Sequence, residues 1–287
     1  MDSTSRVLVV GADGLIGSAL ARRFRADGRE VVATSRHAER GLPPLDLARE
    51  ASSWPLPPGI AIAYLCAAVT SAEACRSMES HAWAVNVEGT TDLARRLIEG
   101  GATVVFLSSN MVFDGTVPRT RADAATCPGT AYGRMKAEAE RRLLAIGERV
   151  WIVRMTKVLG TAVPLFSRWH RSLAGGEPIH PFLDKVMAPM TVDFAVDVLT
   201  QLPRRIDRGI LLVSATDDVR YVEVAERLAR VIGATPRLVQ PIRPDDAATA
   251  PLHTTLDMSR LQDDFGIAAP APWEAIEKAI GTFPPLA

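Results

Sequence analysis

Residues 6–36, RVLVVGADGLIGSALARRFRADGREVVATSR, constrain the fold more than any other stretch of the chain. Residues 6–10 form a continuous apolar run, as in a strand covered on both faces. Ile16, Leu20 and Phe24 recur every four residues, the spacing of a helix with one buried stripe. Asp27-Gly28 ends that helix and EVVAT supplies a second strand. Strand and helix patterns then keep alternating through AIAYLCAA, AVNVEGTTDLARRLIEGG, TVVFLSS, AYGRMKAEAERRLLAIG and RVWIVRM. Such alternation predicts an α/β fold, a doubly wound parallel sheet with helices on both faces.

The rhythm changes after residue 156. Residues 157–190 mix Trp, His, Arg, Pro and Gly without a clean βα period. TVDFAVDVLTQL reads as helix, GILLVSA as strand, YVEVAERLARVIG as helix, and residues 240–257 as proline-rich and irregular. We read 1–156 as a dinucleotide-binding domain and 157–287 as a smaller substrate lobe over the sheet's carboxyl edge, with some elements returning to the main sheet. A length of 287 residues with 47% hydrophobic content permits this arrangement. No linker or repeat interrupts it, so the lobes are expected to pack together.

A net charge of zero gives no reason to expect nucleic acid or an anionic membrane as partner. The polar start MDSTS lacks the features of a signal peptide, and no apolar run approaches the ~20 residues of a membrane span. Cys66, Cys75 and Cys127 are odd in number and have no metal-ligand spacing. They suit a reducing compartment, the cytoplasm, as small core residues.

The turn GADGLIG sets Gly11, Gly14 and Gly17 three residues apart, between a strand and a helix. The first permits the tight turn, the second lets backbone approach a pyrophosphate, and the third lets the helix lie close to the sheet. The phosphates would meet the helix start at Leu15 and Ile16, where free N–H groups and the helix dipole favour negative charge. An NAD site commonly ends its second strand in Asp or Glu, to hold the ribose 2′-hydroxyl. Here Thr34-Ser35-Arg36 stands in that place, and hydroxyl and guanidinium suit a 2′-phosphate. NADP is therefore expected, with NAD open should Arg36 be an ordinary surface residue. Asp46, in PLDLA, is expected near the end of the next strand, either meeting the adenine or capping a turn.

Tyr132 and Lys136 lie four apart and so on one helix face. With three tyrosines and four lysines in the chain, the pairing is rare by chance. A phenol with pKa near 10 is a poor acid–base catalyst at neutral pH, and a neighbouring ammonium should lower it. The lysine can also hold a nicotinamide ribose. Ser109 ends a central strand on the sheet edge where ligands bind, so its hydroxyl can reach a substrate carbonyl. Ser108 points the other way by strand alternation and is expected to serve packing or loop hydrogen bonding.

Gly11, Gly14, Gly17, Asn86 in AVNVEGT, Ser109, Tyr132 and Lys136 together resemble the extended short-chain dehydrogenase/reductases. Within them, LSSNMVFDG and IVRMTKVLG most resemble the dTDP-4-dehydrorhamnose reductase group of sugar-nucleotide reductases. The resemblance implies a Rossmann-type sheet with a small C-terminal substrate lobe. It implies Ser109, Tyr132 and Lys136 as catalytic trio and Asn86 as support for the site or a proton-relay water. Two departures stand out. The group commonly shows Ser-Thr-Asp-Tyr where this chain has Ser108-Ser109-Asn110-Met111, which also lacks the acidic pair of the sugar-nucleotide dehydratases. Lys157 replaces the group's usual aromatic residue. Both leave the sugar open.

In LFSRWHRSLAGG, Arg168, Trp169, His170 and Arg171 could bind the phosphates and base of a nucleotide-sugar substrate, or could form a solvated helix face around one buried Trp. The leading expectation is an NADP-dependent reductase of a nucleotide-linked keto sugar. A nucleotide-sugar 4-epimerase with tightly held NAD, and a non-catalytic NADP-binding regulatory protein, are the alternatives. A homodimer is allowed.

Overall fold

A computed structural model describes residues 6–37, 41–49, 51–202, 209–243 and 251–286. The polar start MDSTS and residues 244–250 of the proline-rich stretch lie outside the described residues. In chain order the elements are β1 (Arg6–Val10), α1 (Leu15–Ala26), β2 (Val31–Thr34), β3 (Ile60–Leu65), α2 (Ala72–Ser77) and α3 (Glu79–Trp83). There follow α4 (Thr90–Glu99), β4 (Thr103–Ser109), α5 (Ala131–Ile146), β5 (Val150–Met155), β6 (Val158–Leu159), α6 (Pro164–Ala174), β7 (Val186–Met187) and β8 (Met190–Thr191). The chain continues with α7 (Val192–Gln201), β9 (Gly209–Val213), β10 (Val219–Arg220), α8 (Tyr221–Ile232), α9 (Ser259–Phe265) and α10 (Pro272–Ile280).

The described residues form two compact units. One comprises the chain up to Asp114 with 122–155 and 195–212; the other comprises 115–121, 156–194 and the chain from Val213. The first unit is built on a six-stranded sheet of order β2-β1-β3-β4-β5-β9. The pairs β1–β2, β1–β3, β3–β4 and β4–β5 are parallel. Unbroken apolar strands are the reason: the adjacent pairs Val7-Leu8, Ala63-Tyr64, Val104-Val105 and Ile152-Val153, which point to opposite faces, are all fully buried, so both sheet faces are covered. After β2 the chain crosses to the other side of β1 to make β3. The carboxyl ends of β1 and β3 therefore form a topological switch point, the crevice where open α/β sheets bind ligands.

Two sequence expectations change here. Among the described residues the strand expected before Asp46 does not form, and an isolated bridge joins Ser35 to Pro44. Pro43 and Pro44 lack the N–H groups a ladder strand needs. The helix expected from Ala84 opens instead with a π-helical turn, Ala84–Gly89. A Cβ on Gly89 would lie 1.8 Å from the Leu47 carbonyl oxygen, so this widened turn packs directly on the 45–49 loop.

The second unit has its own core, where Phe166 and Leu173 of α6, Leu228 of α8 and Ile276 of α10 are buried together. Residues 115–121 run beside 253–257: Thr120 N–H reaches the Thr255 carbonyl at 3.3 Å, and Asp257 N–H reaches the Thr120 carbonyl at 3.0 Å. All three cysteines are free thiols, but Cys127 is exposed, so only Cys75 is a fully buried core residue and Cys66 is half-buried. Among the described residues, no helix is long and apolar enough to cross a membrane.

Candidate active site

The glycine turn occupies the switch point. Gly11 has φ +82° and its N–H donates to the Thr34 carbonyl at 3.0 Å. A Cβ there would meet Ala67 N at 2.7 Å, so the turn after β1 abuts the chain leaving β3. A Cβ on Gly17 would lie 2.2 Å from the Gly11 carbonyl oxygen, which explains how α1 starts so close to the sheet. Gly14 is exposed and caps α1 without a side-chain hydrogen bond, and no acidic residue lies in the helix's first turn. The backbone at Leu15 and Ile16 is thus open to an anion, and the cradle fits a dinucleotide's diphosphate.

At the end of β2 the expected pair divides. Ser35 is buried, and its hydroxyl accepts the His37 N–H at 3.0 Å, so it shapes the loop. Arg36 is exposed, and its Nε donates to His37 Nε2 at 3.1 Å. Asp46 sits in a turn, not at a strand end. Its carboxylate accepts the Ala48 N–H at 2.9 Å and lies 3.8 Å from Arg49, the capping arrangement.

Helix α5 carries Tyr132 and Lys136. It is capped by the Thr130 hydroxyl, which accepts the Gly133 N–H at 3.0 Å. A Cβ on Gly133 would lie 2.1 Å from the Met111 carbonyl oxygen, so the first turn of α5 rests on the 3₁₀ turn 110–112. Ser109 caps that 3₁₀ turn: its hydroxyl accepts the Met111 N–H at 3.2 Å and lies 3.4 Å from Asn110 Oδ1. Gly133 was not singled out from the sequence, yet it joins the serine turn to the tyrosine helix. Lys136 is buried, donates to the Leu107 carbonyl at 2.8 Å, and lies over the Phe106 ring at 4.4 Å and the Tyr132 ring at 5.7 Å.

Burial pushes the Lys136 ammonium down to about 8, with Glu140, Cys66 and Cys75 opposing the shift. It pushes the Cys66 thiol up to about 12, which Lys136 partly offsets. The Tyr132 phenol is raised, by burial first and then by Cys75. This corrects the expectation that Lys136 sets a lowered tyrosine pKa: the ammonium is engaged with the Leu107 carbonyl, and desolvation dominates at the phenol.

Asn86 is fully buried, and its amide brackets Val69, accepting from its N–H at 2.8 Å and donating to its carbonyl at 2.9 Å. It also lies 3.6 Å from Met135 Sδ. With both ends engaged it holds the loop after β3. Beneath the trio, Ser108 donates to Glu140, which is paired with Arg154 through bonds of 2.7 and 3.1 Å. A lone arginine inside the apolar run VWIVRM was the one sequence signal for this pair.

In the second unit, Trp169 is buried and stacked on Phe166 at 5.8 Å, so it offers no flat face to a base. His170 stacks on Phe283 at 4.8 Å. Arg168, Arg171 and Lys157 are exposed.

The family described as RmlD substrate binding domain matches residues 5–283. A dTDP-4-keto-6-deoxy-D-glucose reductase of Streptomyces niveus is 30% identical over 262 residues, spanning 87% of this chain and 86% of its own. A dTDP-4-dehydrorhamnose reductase of Aggregatibacter actinomycetemcomitans is 27% identical over 295 residues, spanning 97% and 99%. Among solved structures, a dTDP-4-dehydrorhamnose reductase of Bacillus anthracis in complex with NADP has a TM-score of 0.82 at 20% identity and covers 99% of this chain and 100% of its own; at that identity the likeness is one of fold.

Proposed function

The chain belongs to the RmlD substrate binding domain family, and from that premise we propose that it reduces the 4-keto group of a dTDP-linked deoxy sugar, using NADPH. When bound, the reduced nicotinamide supplies the hydride. The reading rests on one observation above all: Gly133 seats the Tyr132–Lys136 helix on the Met111 carbonyl, within the turn capped by Ser109.

Tyr132 is assigned the proton transfer. Burial keeps its phenol protonated at neutral pH, so it is poised to give a proton to the oxygen left negative as the carbonyl carbon is reduced. The Ser109 hydroxyl is assigned the hydrogen bond that holds that oxygen. Its rotation away from Asn110 leaves a donor at the end of β4. Lys136 is assigned to the ribose and to the positive potential beside the phenol. The open backbone at Gly14, Leu15 and Ile16 receives the diphosphate, and Arg36 the 2′-phosphate. The names of the relatives carry the substrate: both describe reductases of dTDP-linked 4-keto sugars. The three free thiols fit a reducing compartment, and we assign the protein to the cytoplasm.

The test is NADPH oxidation against a panel of dTDP- and UDP-linked 4-keto sugars, with product analysed for the reduced carbon. Turnover on a dTDP-4-keto-6-deoxy sugar is expected, and Ser109→Ala should cost about 2–3 kcal/mol of transition-state stabilisation. Purified protein that retains NAD tightly and interconverts sugars without net oxidation of NADPH would overturn the reductase in favour of the epimerase.

A further inference from the structure

One turn beyond Lys136 on α5 lies Glu140, a carboxylate 2% exposed. It accepts from Ser108 on β4 and from Arg154 on β5, itself 3% exposed. Ser108 and Arg154 are register partners in the sheet, so one carboxylate ties β4, β5 and α5 together. Arg154 is fixed in turn, donating to the Ala122 carbonyl at 3.1 Å and lying 4.9 Å from the Phe113 ring centroid. A buried ion pair contributes little net stability compared with apolar residues of equal volume, so stability alone is a weak reason for its presence. Its location suggests another. Lys136 is wrapped by the Phe106 ring and faces few charged or titratable groups: Glu140 and Tyr132 on its own helix, Cys66 after β3, and Cys75 on α2. Of these only Glu140 is a carboxylate.

We propose that Glu140, held in place by Arg154 and Ser108, is a positioning residue that keeps Lys136 protonated and seated on the Leu107 carbonyl while Ser108 anchors the strand end that presents Ser109. This rests on the reading of Lys136 as a member of the catalytic trio. The electrostatics agree: Glu140 is the largest influence opposing the burial that draws Lys136 down to about 8. An anion one helical turn away shifts a buried ammonium by about one unit or more. Removing it should let Lys136 deprotonate near neutral pH.

The chain's four lysines allow a direct measurement. With ¹³Cε-lysine label in the full chain without cofactor, the Lys136 resonance should titrate near 8 in the wild type. It should titrate about one unit or more lower in Glu140→Gln, and recover most of the way in Glu140→Asp. Since Glu140→Gln leaves Arg154 buried without its partner, the double variant Glu140→Gln/Arg154→Met provides a charge-balanced second route and should show the same downward direction. The alkaline limb of kcat should move with the resonance in each variant. An unmoved Lys136 midpoint in Glu140→Gln and in the double variant would overturn the proposal. Failure of the trio reading looks different: Lys136→Met would then turn over normally, while the resonance in the Glu140 variants would still report on the pair.

Discussion

At the glycine turn the fixed contacts are made by backbone. Gly11 N–H meets the Thr34 carbonyl, and Gly17 packs on the Gly11 carbonyl with no side chain between them. Under α5 the fixed contacts are made by buried side chains: Lys136 on the Leu107 carbonyl, and Glu140 between Ser108 and Arg154. The first region leaves its helix start exposed, while Lys136 and Glu140 of the second are buried. A site built from backbone tolerates almost any neighbouring charge and no added atom. A site built from buried charges tolerates small changes of volume, and losing a charge changes its chemistry more than its packing. The two regions of one sheet edge should therefore break in opposite ways.

The largest effect is expected from adding atoms to the turn. Gly17→Val puts a side chain onto the Gly11 carbonyl oxygen, 2.2 Å from the first added carbon, and should cost about 4 kcal/mol or more in denaturant unfolding. Gly14→Ala, whose nearest neighbour is 3.4 Å away, should fold normally. If both variants were equally stable, the backbone account of the turn would be wrong.

Next comes the loss of one proton donor on the other side. Tyr132→Phe should lower kcat about 10²- to 10⁴-fold. Unfolding midpoint and NADPH affinity should stay unchanged, since only the hydroxyl is removed. Near-normal turnover would remove the phenol from the mechanism.

Lys136→Met separates function from stability. In the folded protein Lys136 releases its proton at about 8, against about 10.4 for a free lysine. The lowered value means that burying the charge destabilises the fold in full below pH 8, and that this cost fades as pH rises toward 10. The variant should therefore be inactive but more stable by about 3 kcal/mol at pH 7, the gain falling below about 1 kcal/mol by pH 10. Urea unfolding at the two pH values decides it, and a loss of stability at pH 7 would count against a buried ammonium.

The smallest effect belongs to the exposed rim of the turn. Arg36→Ala should weaken NADPH about tenfold and leave NADH unchanged, the value of one charge-assisted contact to phosphate. Titration of both dinucleotides measures it. Equal weakening of the two would assign Arg36 to general electrostatics.

Local spacing made some of this readable in advance. Three glycines after an apolar run, and Tyr132 four residues before Lys136, each lie within a single strand–turn–helix or one helix turn, so their geometry follows from the period of the element. The misreadings share a different cause. Pro43 and Pro44 withhold the N–H groups that a strand before Asp46 would need. Trp169 reads as a candidate platform until Phe166 is found stacked on it.

By itself, then, the sequence determined the α/β alternation, the glycine turn between β1 and α1 and the shared helix face of Tyr132 and Lys136, because each is encoded in residues close enough along the chain to share one element's geometry. Tertiary structure alone decided that Gly133 rests on Met111, that Ser35 serves its loop while Arg36 lies exposed beside His37, and that Glu140 meets Arg154 and Ser108. Those contacts join residues from separate elements, and only strand register and helix packing bring them within reach. Burial decided the rest: the buried position of Lys136 and the half-buried one of Tyr132 set which proton each holds, and desolvation is a property of the packed fold that residue types and spacings do not carry.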